Sequence, residues 1–309
     1  MLKGTTGTLR LMKIAVVIIA AALALLAAAG SARASEIIDR NAQNVRLGVS
    51  ASGQALVTYK AGGRVMHVRV WGAVDARQPT TGRPQVRFRK DYSGRDWTSF
   101  RNQCRAYDGP KLAFKVAACA APDGSYWALQ SWRRTLPNFD GPRPSGLGAW
   151  ELHLSHWSGA VATLEAWTDW VYGGRYHHLF GRLTYDGRPV YGFSASRVGS
   201  PFDSYGRNIY VDTFDSRYGK GWRRENAFLA HRPTGVFCYG FYRFTPRGPG
   251  NGAKYRLTAI GPGVTPDVSI TIPGLHDYDP NSSGDVAYEH QQNALQDSIA
   301  GVDKKCRVH

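Results

Sequence analysis

The chain has 309 residues, of which 39 are Lys or Arg and 23 are Asp or Glu, so its formal net charge is +16 at pH 7. This length exceeds that of a miniprotein that depends on disulfides, and a hydrophobic core of ordinary size can hold the fold. The excess of basic residues favours an acidic partner. Because the charged residues are scattered along the chain, the alternative is that they only keep the surface soluble.

The N-terminus has the three regions of a secretory signal peptide. Three cations precede an apolar run over residues 14–29, and an A-x-A cleavage motif ends at Ala34. Removing residues 1–34 lowers the Lys and Arg count by four, from 39 to 35 against 23 acidic residues, so the mature charge is +12. We therefore predict a secreted protein, extracellular or at the cell surface, with no membrane span after cleavage.

Short alternating segments separated by turn signals recur through the mature chain. A three-stranded meander is predicted over 45–71, and Asp-Gly pairs predict hairpins at Asp123-Gly124 and Asp186-Gly187. A Gly/Pro-rich loop predicts a fourth hairpin within 242–260. The fold class is therefore all-β, a sandwich or barrel-like arrangement of mostly antiparallel hairpins.

Residues 35–309 are expected to form a single β-rich extracellular domain. The Gly/Pro string at 139–148 cannot join a β-ladder and is the place for an internal boundary, with one long surface loop as the alternative. The segments 62–68 and 173–179 share the pattern G-G-R-x-x-H-apolar. A single match of this length indicates shared Gly-Gly turn chemistry rather than a duplication.

Helical patterns are scarce. The segment 284–300 is predicted to be a C-terminal helix that stops at Gly301. Its apolar positions approximate one face: Val286, Leu295, Ile299 and Val302. Thr98–Tyr107, around Cys104, is predicted to form a second, shorter helix.

Four cysteines in an oxidising compartment predict two disulfides, for which three connectivities exist. Cys104 and Cys119 are close enough in sequence to staple the segment between them, which leaves Cys238 to pair with Cys306. No C-x-x-C motif is present, and this argues against a zinc knuckle or a thioredoxin-like redox site.

Residues 150–193 combine many aromatic rings with His and Arg. Trp157, Trp167 and Tyr176 have polar neighbours and are predicted to form an exposed platform for sugar rings, with Arg175 beside them and with Arg or Glu side chains binding the sugar hydroxyls. A large aromatic core that contains these rings is the favoured alternative. The partner expected for the platform is a polysaccharide or another anionic polymer of the cell envelope.

The same region contains candidate catalytic groups. Strand alternation places Trp150 with an apolar, core-like face and puts Glu151 and His153 together on the other face. It also separates His177 from His178, so only one of them can face a given pocket. We regard one of the two histidines, His177 or His178, as a site residue or metal ligand only if Glu151 or His153 faces it across the sheet, and structural histidines are the favoured alternative.

Glu165 and Asp169 share a strand face with Trp167, an arrangement that suggests a glycosidase. Four strand residues span about 13 Å, whereas paired glycosidase carboxylates lie about 5 to 9.5 Å apart. A solvated face is therefore favoured over a catalytic pair. A Ser-His-Asp triad assembled across strands needs no fixed spacing and stays open.

The segment 277–289 resembles the start of a calcium loop, with oxygen ligands at Asp277, Asp279, Asn281 and Asp285. Ser282 stands where such a loop has Gly, and the twelfth position is Tyr288 instead of Glu. An Asx-rich turn that caps the C-terminal helix is favoured over a metal site.

Several motif-defined functions are not expected. The sequence has no P-loop, no dinucleotide fingerprint, no GxSxG and no HExxH, so no cofactor is predicted. It also has no nucleic-acid-binding motif, and an exported protein rarely meets nucleic acid.

Four segments resemble a group of uncharacterised secreted bacterial proteins with no assigned activity: residues 55–76, 123–132, 150–157 and 172–193. The resemblance implies export and a shared fold, and it transfers no catalytic residue. The leading hypothesis is a non-catalytic, disulfide-stapled β protein that binds an envelope polymer. The alternative is a secreted hydrolase that uses Glu151, Glu165 or Asp169 with His153 or His178.

Overall fold

Antiparallel strands form most of the chain that the computed structural model describes. The described residues are 36–72, 88–134, 149–185, 187–189, 193–195, 201–203, 209–216, 219–224, 235–243, 253–259 and 265–308. They belong to one compact unit, and none of their helices is long and apolar enough to cross a membrane. The predicted signal peptide over 1–34 and the predicted boundary at 139–148 lie outside the described residues.

The strands follow one another along the chain with few helical interruptions. In chain order they are β1 (Glu36–Arg40), β2 (Gln43–Val49), β3 (Ala55–Ala61), β4 (Arg64–Gly72), β5 (Phe88–Asp91), β6 (Lys115–Ala120), β7 (Tyr126–Arg134), β8 (Ala149–Trp157), β9 (Thr163–Val171), β10 (Tyr176–Tyr185), β11 (Arg188–Pro189), β12 (Phe193–Ala195), β13 (Pro201–Asp203), β14 (Ile209–Ser216), β15 (Gly219–Arg224), β16 (Val236–Arg243), β17 (Lys254–Ala259) and β18 (Val268–Pro273). A 3₁₀ turn covers Trp97–Ser99, and the helix α1 covers Ser283–Ala300.

These strands form four larger sheets and a small ribbon. The first sheet has the order β2-β3-β4-β5, and the central sheet has the order β1-β8-β7-β6. In the third sheet β10 pairs with β9, β11 and β16, and the fourth sheet has the order β15-β14-β17-β18. Strands β12 and β13 pair with each other. The predicted all-β, antiparallel class is confirmed, and no sheet among the described residues closes into a barrel.

The central sheet is buried on both faces. One face packs against the first sheet through a core that includes Val57, Val70, Leu129 and Leu154. The other face packs against the third and fourth sheets through a second core. It includes Ala128, Trp157, Leu179, Leu183, Tyr255 and Leu257. Strand β8 is therefore buried continuously from Glu151 to Trp157. Its residues do not alternate between a buried face and a solvated face.

The turn signals of the meander and of the two Asp-Gly pairs agree with the observed strand pairing. Strands β2, β3 and β4 form the predicted meander, and β6 pairs with β7 around Asp123-Gly124. Strands β10 and β11 pair across the Asp186-Gly187 position. The two Gly-Gly pairs at 62–63 and 173–174 have positive φ values between 54° and 78° in the β3–β4 and β9–β10 hairpins. The shared heptapeptide pattern thus marks shared turn geometry.

The predicted hairpin within 242–260 is wrong. Strand β16, which ends at Arg243, pairs with β10, whereas β17 pairs with β14 and β18. The two strands that flank the Gly/Pro-rich loop therefore belong to different sheets. Burial against strands that are distant in sequence decides how β16 and β17 pair. The residue composition of the loop between them carries no information about those distant strands.

The predicted helix over Thr98–Tyr107 is also wrong. Only the 3₁₀ turn Trp97–Ser99 is helical there, and Arg105 forms an antiparallel bridge with Ala120. The backbone N–H of Cys104 donates to Asn102 Oδ1 at 3.0 Å. The Cys104–Cys119 disulfide ties the segment to the end of β6. These hydrogen bonds replace the i to i−4 bonds that a helix would need.

The C-terminal helix is confirmed, with Ser282 as its N-cap and Gly301 as its C-cap. Its predicted apolar face is wrong, because Val302 is 90% exposed and the buried helical positions are mainly polar. Those buried positions are Asp285, Gln292, Gln296 and Ala300. Hydrogen bonds hold the helix instead, including Gln296 Nε2 to the Cys306 carbonyl at 2.7 Å and Tyr288 Oη to the Thr168 carbonyl at 2.9 Å.

Candidate functional site

An open cleft of about 670 Å³ lies between the β1–β2 turn, the start of β2 and strands β6, β7 and β8. We call it the Trp150 cleft after its largest side chain. Its lining consists of amide, hydroxyl and apolar groups: Asn41, Ala42, Gln43, Asn44, Val45, Val116, Ser131 and Trp150. Such a combination of one ring, hydrogen-bonding groups and apolar walls is typical of ligand sites.

Trp150 presents its ring to solvent from a fixed backbone. Its side chain is 52% exposed, since the core between the first and central sheets includes Leu152 and Leu154 but ends before Trp150. The Asn41 N–H donates to the Trp150 carbonyl at 2.6 Å, and the Trp150 N–H donates to Asn41 Oδ1 at 3.1 Å. This pair of hydrogen bonds continues the β1–β8 pairing by one residue. The main chain that carries the indole is therefore held in place before any ligand arrives.

Backbone irregularities surround the cleft. The β2–β3 register shifts between Gln43 and Arg46, and the β6–β7 register shifts on either side of Val116. Asn41 and Asn44 have φ values of 54° and 53°, in the left-handed region that Asn tolerates better than most residues. Bulges redirect side chains and are frequent next to functional sites. Here they leave Gln43, Asn44 and Val116 exposed beside the indole.

The predicted exposure of Trp157 is wrong. Its ring is fully buried and packs against Tyr126 and Tyr107, with ring centroids 5.5 Å and 6.3 Å away. It lies on the face of β8 that meets the third and fourth sheets, so no ligand can reach it from solvent. The alternative of an aromatic core holds for this residue.

The other predicted platform residues do not form a continuous surface. Trp167 is half-buried and stacks on Phe180 with centroids 5.9 Å apart. Arg175 is exposed and Tyr176 is half-buried at the tip of the β9–β10 hairpin. Trp167 and Tyr176 share one face of the third sheet, but buried His178 lies between them on that face. The structure therefore separates the platform into two unconnected parts.

Glu151 and His153 form a buried polar cluster with Asp267. His153 Nε2 lies 3.2 Å from Glu151 Oε2, and His153 Nδ1 lies 3.9 Å from Asp267 Oδ2. Trp132 Nε1 donates to the same Asp267 oxygen at 3.1 Å. Asp267 comes from the segment before β18, which explains why sequence spacing did not reveal it. All three titratable side chains are at most 5% exposed, so the cluster joins the central sheet to the fourth sheet.

The remaining carboxylate candidates lie in the third sheet, each with its own partner. Glu165 pairs with Arg182 on the surface, and Asp169 Oδ1 lies 2.8 Å from His178 Nδ1 in the interior. The predicted solvated face is wrong for Asp169, which is 1% exposed. His178 faces Asp169 instead of Glu151 or His153, and the predicted condition for a His178 site is not met. The structure therefore does not bring these carboxylates together with Glu151.

His156 takes part in an arrangement that sequence spacing did not reveal. Its Nδ1 donates to the Gly72 carbonyl at 2.9 Å, and its Nε2 lies 2.8 Å from Ser125 Oγ. Asp123 Oδ1 accepts the Ser125 N–H at 2.9 Å. Burial lowers the pKa of His156 to about 4. Because Ser125 is only 3% exposed, this chain of bonds locks the β6–β7 turn onto β8 and β4.

The residues of the predicted calcium loop organise the start of α1. Asp279 Oδ1 accepts the Asn281 N–H at 2.9 Å, and Ser282 Oγ accepts the Asp285 N–H at 3.3 Å. The Asp285 carboxylate accepts the Asp279 N–H and contacts His276 Nε2 at 3.0 Å. The favoured alternative, an Asx turn followed by a helix cap, is confirmed. Among the described residues no group of three His, Cys, Asp or Glu side chains is placed to hold a metal ion.

The predicted disulfides are confirmed, with Cys104 bonded to Cys119 and Cys238 bonded to Cys306. Two disulfides fit a protein that folds in an oxidising compartment. Trp150 lies on the strand face that alternation predicts, but its expected place in the core is wrong. The run Asn41-Ala42-Gln43-Asn44 between two strands is the sequence signal that accompanies it. Comparison of the chain with protein-family models, curated proteins and solved structures finds no match.

Proposed function

We propose that this is a secreted protein that binds a polysaccharide chain in the Trp150 cleft without cleaving it. The observation that carries the proposal is the half-exposed indole of Trp150 among the amide side chains of Asn41, Gln43 and Asn44. An indole offers a flat apolar face on which the C–H face of a sugar ring can pack. Amide groups both donate and accept hydrogen bonds, as sugar hydroxyls require.

The rigidity of the cleft supports binding. Asn41 fixes the Trp150 backbone with two hydrogen bonds. Binding therefore does not need to order the main chain that carries the ring, and this lowers the entropic cost of association. The openness of the cleft suits a segment of a long polymer, which must enter and leave along its length.

The chemistry of the lining supports binding over cleavage. Glycoside hydrolysis uses two carboxyl groups on either side of the scissile bond. Among the described residues, those that line the Trp150 cleft include no Asp or Glu. The carboxylates of Glu151, Glu165 and Asp169 all have hydrogen-bonding partners elsewhere in the described structure. For these reasons we propose a binding role in preference to the hydrolase alternative.

Replacing Trp150 with alanine is expected to weaken polysaccharide binding by about tenfold or more, as for a central tryptophan in other binding sites. The measurement is affinity electrophoresis through gels that contain polygalacturonate, alginate or dextran, together with pull-down on insoluble peptidoglycan. Trp97→Ala is the matched control, because Trp97 is 46% exposed but stacks on His67, outside the cleft lining.

The control is expected to bind like the parent protein, and both variants should retain the parent thermal unfolding temperature within a few degrees. The proposal fails if the parent protein binds none of these polymers. It also fails if Trp97→Ala lowers binding as much as Trp150→Ala does.

A further inference from the structure

We infer that the polysaccharide bound in the Trp150 cleft is built from N-acetylated amino sugars, and that apolar side chains beside the indole receive their acetyl methyl groups. This inference rests on the proposed function and deepens it by naming the class of sugar. The observation that carries it is that one open cleft combines neutral hydrogen-bonding groups with apolar side chains, which a sugar that carries only hydroxyl groups would not match.

The apolar part of the lining lies where the core between the first and central sheets ends. Ala42 and Val45 pack against this core and also line the cleft, so they form its apolar floor. Val116 lies at the register shift of β6 and is 44% exposed. A ligand that covers these three side chains removes apolar surface from water, and this burial favours binding.

Neutral hydrogen-bonding groups surround the apolar side chains. Gln43 and Asn44 are exposed, and Ser131 is half-buried. Ser131 pairs with Leu152, which is two residues from Trp150 on β8, so Ser131 lies on the same sheet face as the indole. Within the part of the chain that the structure describes, the side chains of Gln43, Asn44 and Ser131 make no hydrogen bond, and a ligand therefore does not compete with the protein for them.

An acetamido group combines the features that both kinds of lining can bind. Its methyl group is apolar, its N–H donates and its carbonyl accepts. The side-chain amides of Gln43 and Asn44 can donate to that carbonyl or accept from that N–H, whereas a sugar hydroxyl has no methyl group to place against Val116. Among the described residues the lining contains no charged side chain, so nothing in it selects an acidic sugar over a neutral one.

The test compares chitohexaose with cellohexaose by isothermal titration calorimetry. The two oligosaccharides have the same rings and linkages, and each unit differs only in having an acetamido group or a hydroxyl. We expect the parent protein to bind chitohexaose about tenfold or more tightly, because the acetamido group adds a hydrogen bond and a buried methyl group. Trp150→Ala is expected to weaken the binding of both, since the indole packs on the ring that they share.

Val116→Thr keeps the shape of the side chain and replaces one methyl group with a hydroxyl. It is expected to weaken chitohexaose binding about threefold to fivefold and to leave cellohexaose binding unchanged. Val65→Thr is the matched control, because Val65 is also a strand residue, is 62% exposed and lies outside the cleft lining. The control should bind both oligosaccharides like the parent protein.

Pull-down on chitin beads and on insoluble peptidoglycan distinguishes the two sources of such sugars. Retention on either that is lost in Trp150→Ala agrees with the inference and shows which source fits the cleft.

Equal affinity for chitohexaose and cellohexaose, with both lost in Trp150→Ala, would overturn the inference and leave the proposed function standing. The same holds if neither oligosaccharide binds while another polysaccharide binds in a Trp150-dependent manner. An equal loss of chitohexaose binding in Val65→Thr and Val116→Thr would also overturn the inference.

Discussion

Replacing Asp169 with alanine is expected to lower the free energy of unfolding by about 3–5 kcal/mol, the usual cost of breaking a buried charged pair. Asp169 is 1% exposed and bonds to His178, which is 4% exposed. His178 Nε2 also bonds to the Cys238 carbonyl, which can only accept, so Nε2 carries a proton. The Nδ1 atom faces the carboxylate, and a second proton lies between the two groups. In Asp169→Ala the His178 imidazole stays buried but loses the carboxylate that hydrogen-bonds to it. Urea unfolding followed by circular dichroism measures the change.

Glu165→Ala is the matched control for this experiment. Glu165 lies on the same strand and the same sheet face as Asp169, but its pair with Arg182 is partly exposed. Exposed pairs contribute about 0–1 kcal/mol, so the control should stay close to the parent protein. The double variant Asp169→Leu/His178→Leu should be more stable than Asp169→Leu, because the second substitution removes the buried imidazole that Asp169→Leu deprives of its carboxylate. A loss below about 1 kcal/mol in Asp169→Ala would contradict the assigned role.

The protein is expected to lose stability as the pH falls from about 6.5 to about 4, because two buried histidines are neutral in the folded state. Burial lowers the pKa of His156 from 6.5 to about 4. Burial, followed by the charge of His276, lowers the pKa of His177 to about 4 as well. Between these pH values the unfolded chain binds more protons than the folded chain, so acid favours unfolding. The stabilisation is complete above pH 6.5, and each histidine contributes a loss of about 3 kcal/mol by pH 4.

Urea unfolding at several pH values between 7 and 4 tests this expectation. His156→Gln should be less stable than the parent protein at pH 7, because the bonds to Gly72 and Ser125 are disturbed, but its stability should fall less steeply with acid. His290→Gln is the control, since His290 is exposed on α1 and should leave the slope unchanged. An unchanged slope in His156→Gln would show that this histidine does not contribute to acid sensitivity.

Local sequence signals account for much of the fold. Alternation and the pairs Ser52-Gly53 and Gly62-Gly63 predict the β2–β3–β4 meander, which the structure contains. The C-terminal helix and the two disulfides were predicted as well. Turns, helix ends and the pairing of closely spaced cysteines depend on residues that are near one another in sequence, so a single sequence is enough to recognise them.

The candidate site was predicted less well, and the reason lies in the stacking of sheets. Alternation assigns residues to two faces but does not say which face meets solvent. The sequence makes Trp157 a candidate for an exposed platform and places Trp150 on a core-like face, whereas in the structure Trp157 is buried and Trp150 is half-exposed. The central sheet has cores on both sides. Trp150 lies on the same face of β8 as Leu152 and Leu154, but the core on that face ends at Leu152.

By itself the sequence determined the strand-rich class, the turns of the β2–β3–β4 meander and the terminal helix, since each depends on residues near one another, and it limited the four cysteines to three possible pairings. Only the tertiary structure decided that β16 and β17 join different sheets, that Asp169 meets His178 in the interior, and that Asn41 bonds to Trp150 where a core ends. These contacts join distant strands. Burial of apolar faces selects among many pairings of similar local quality, and that selection depends on the whole chain at once.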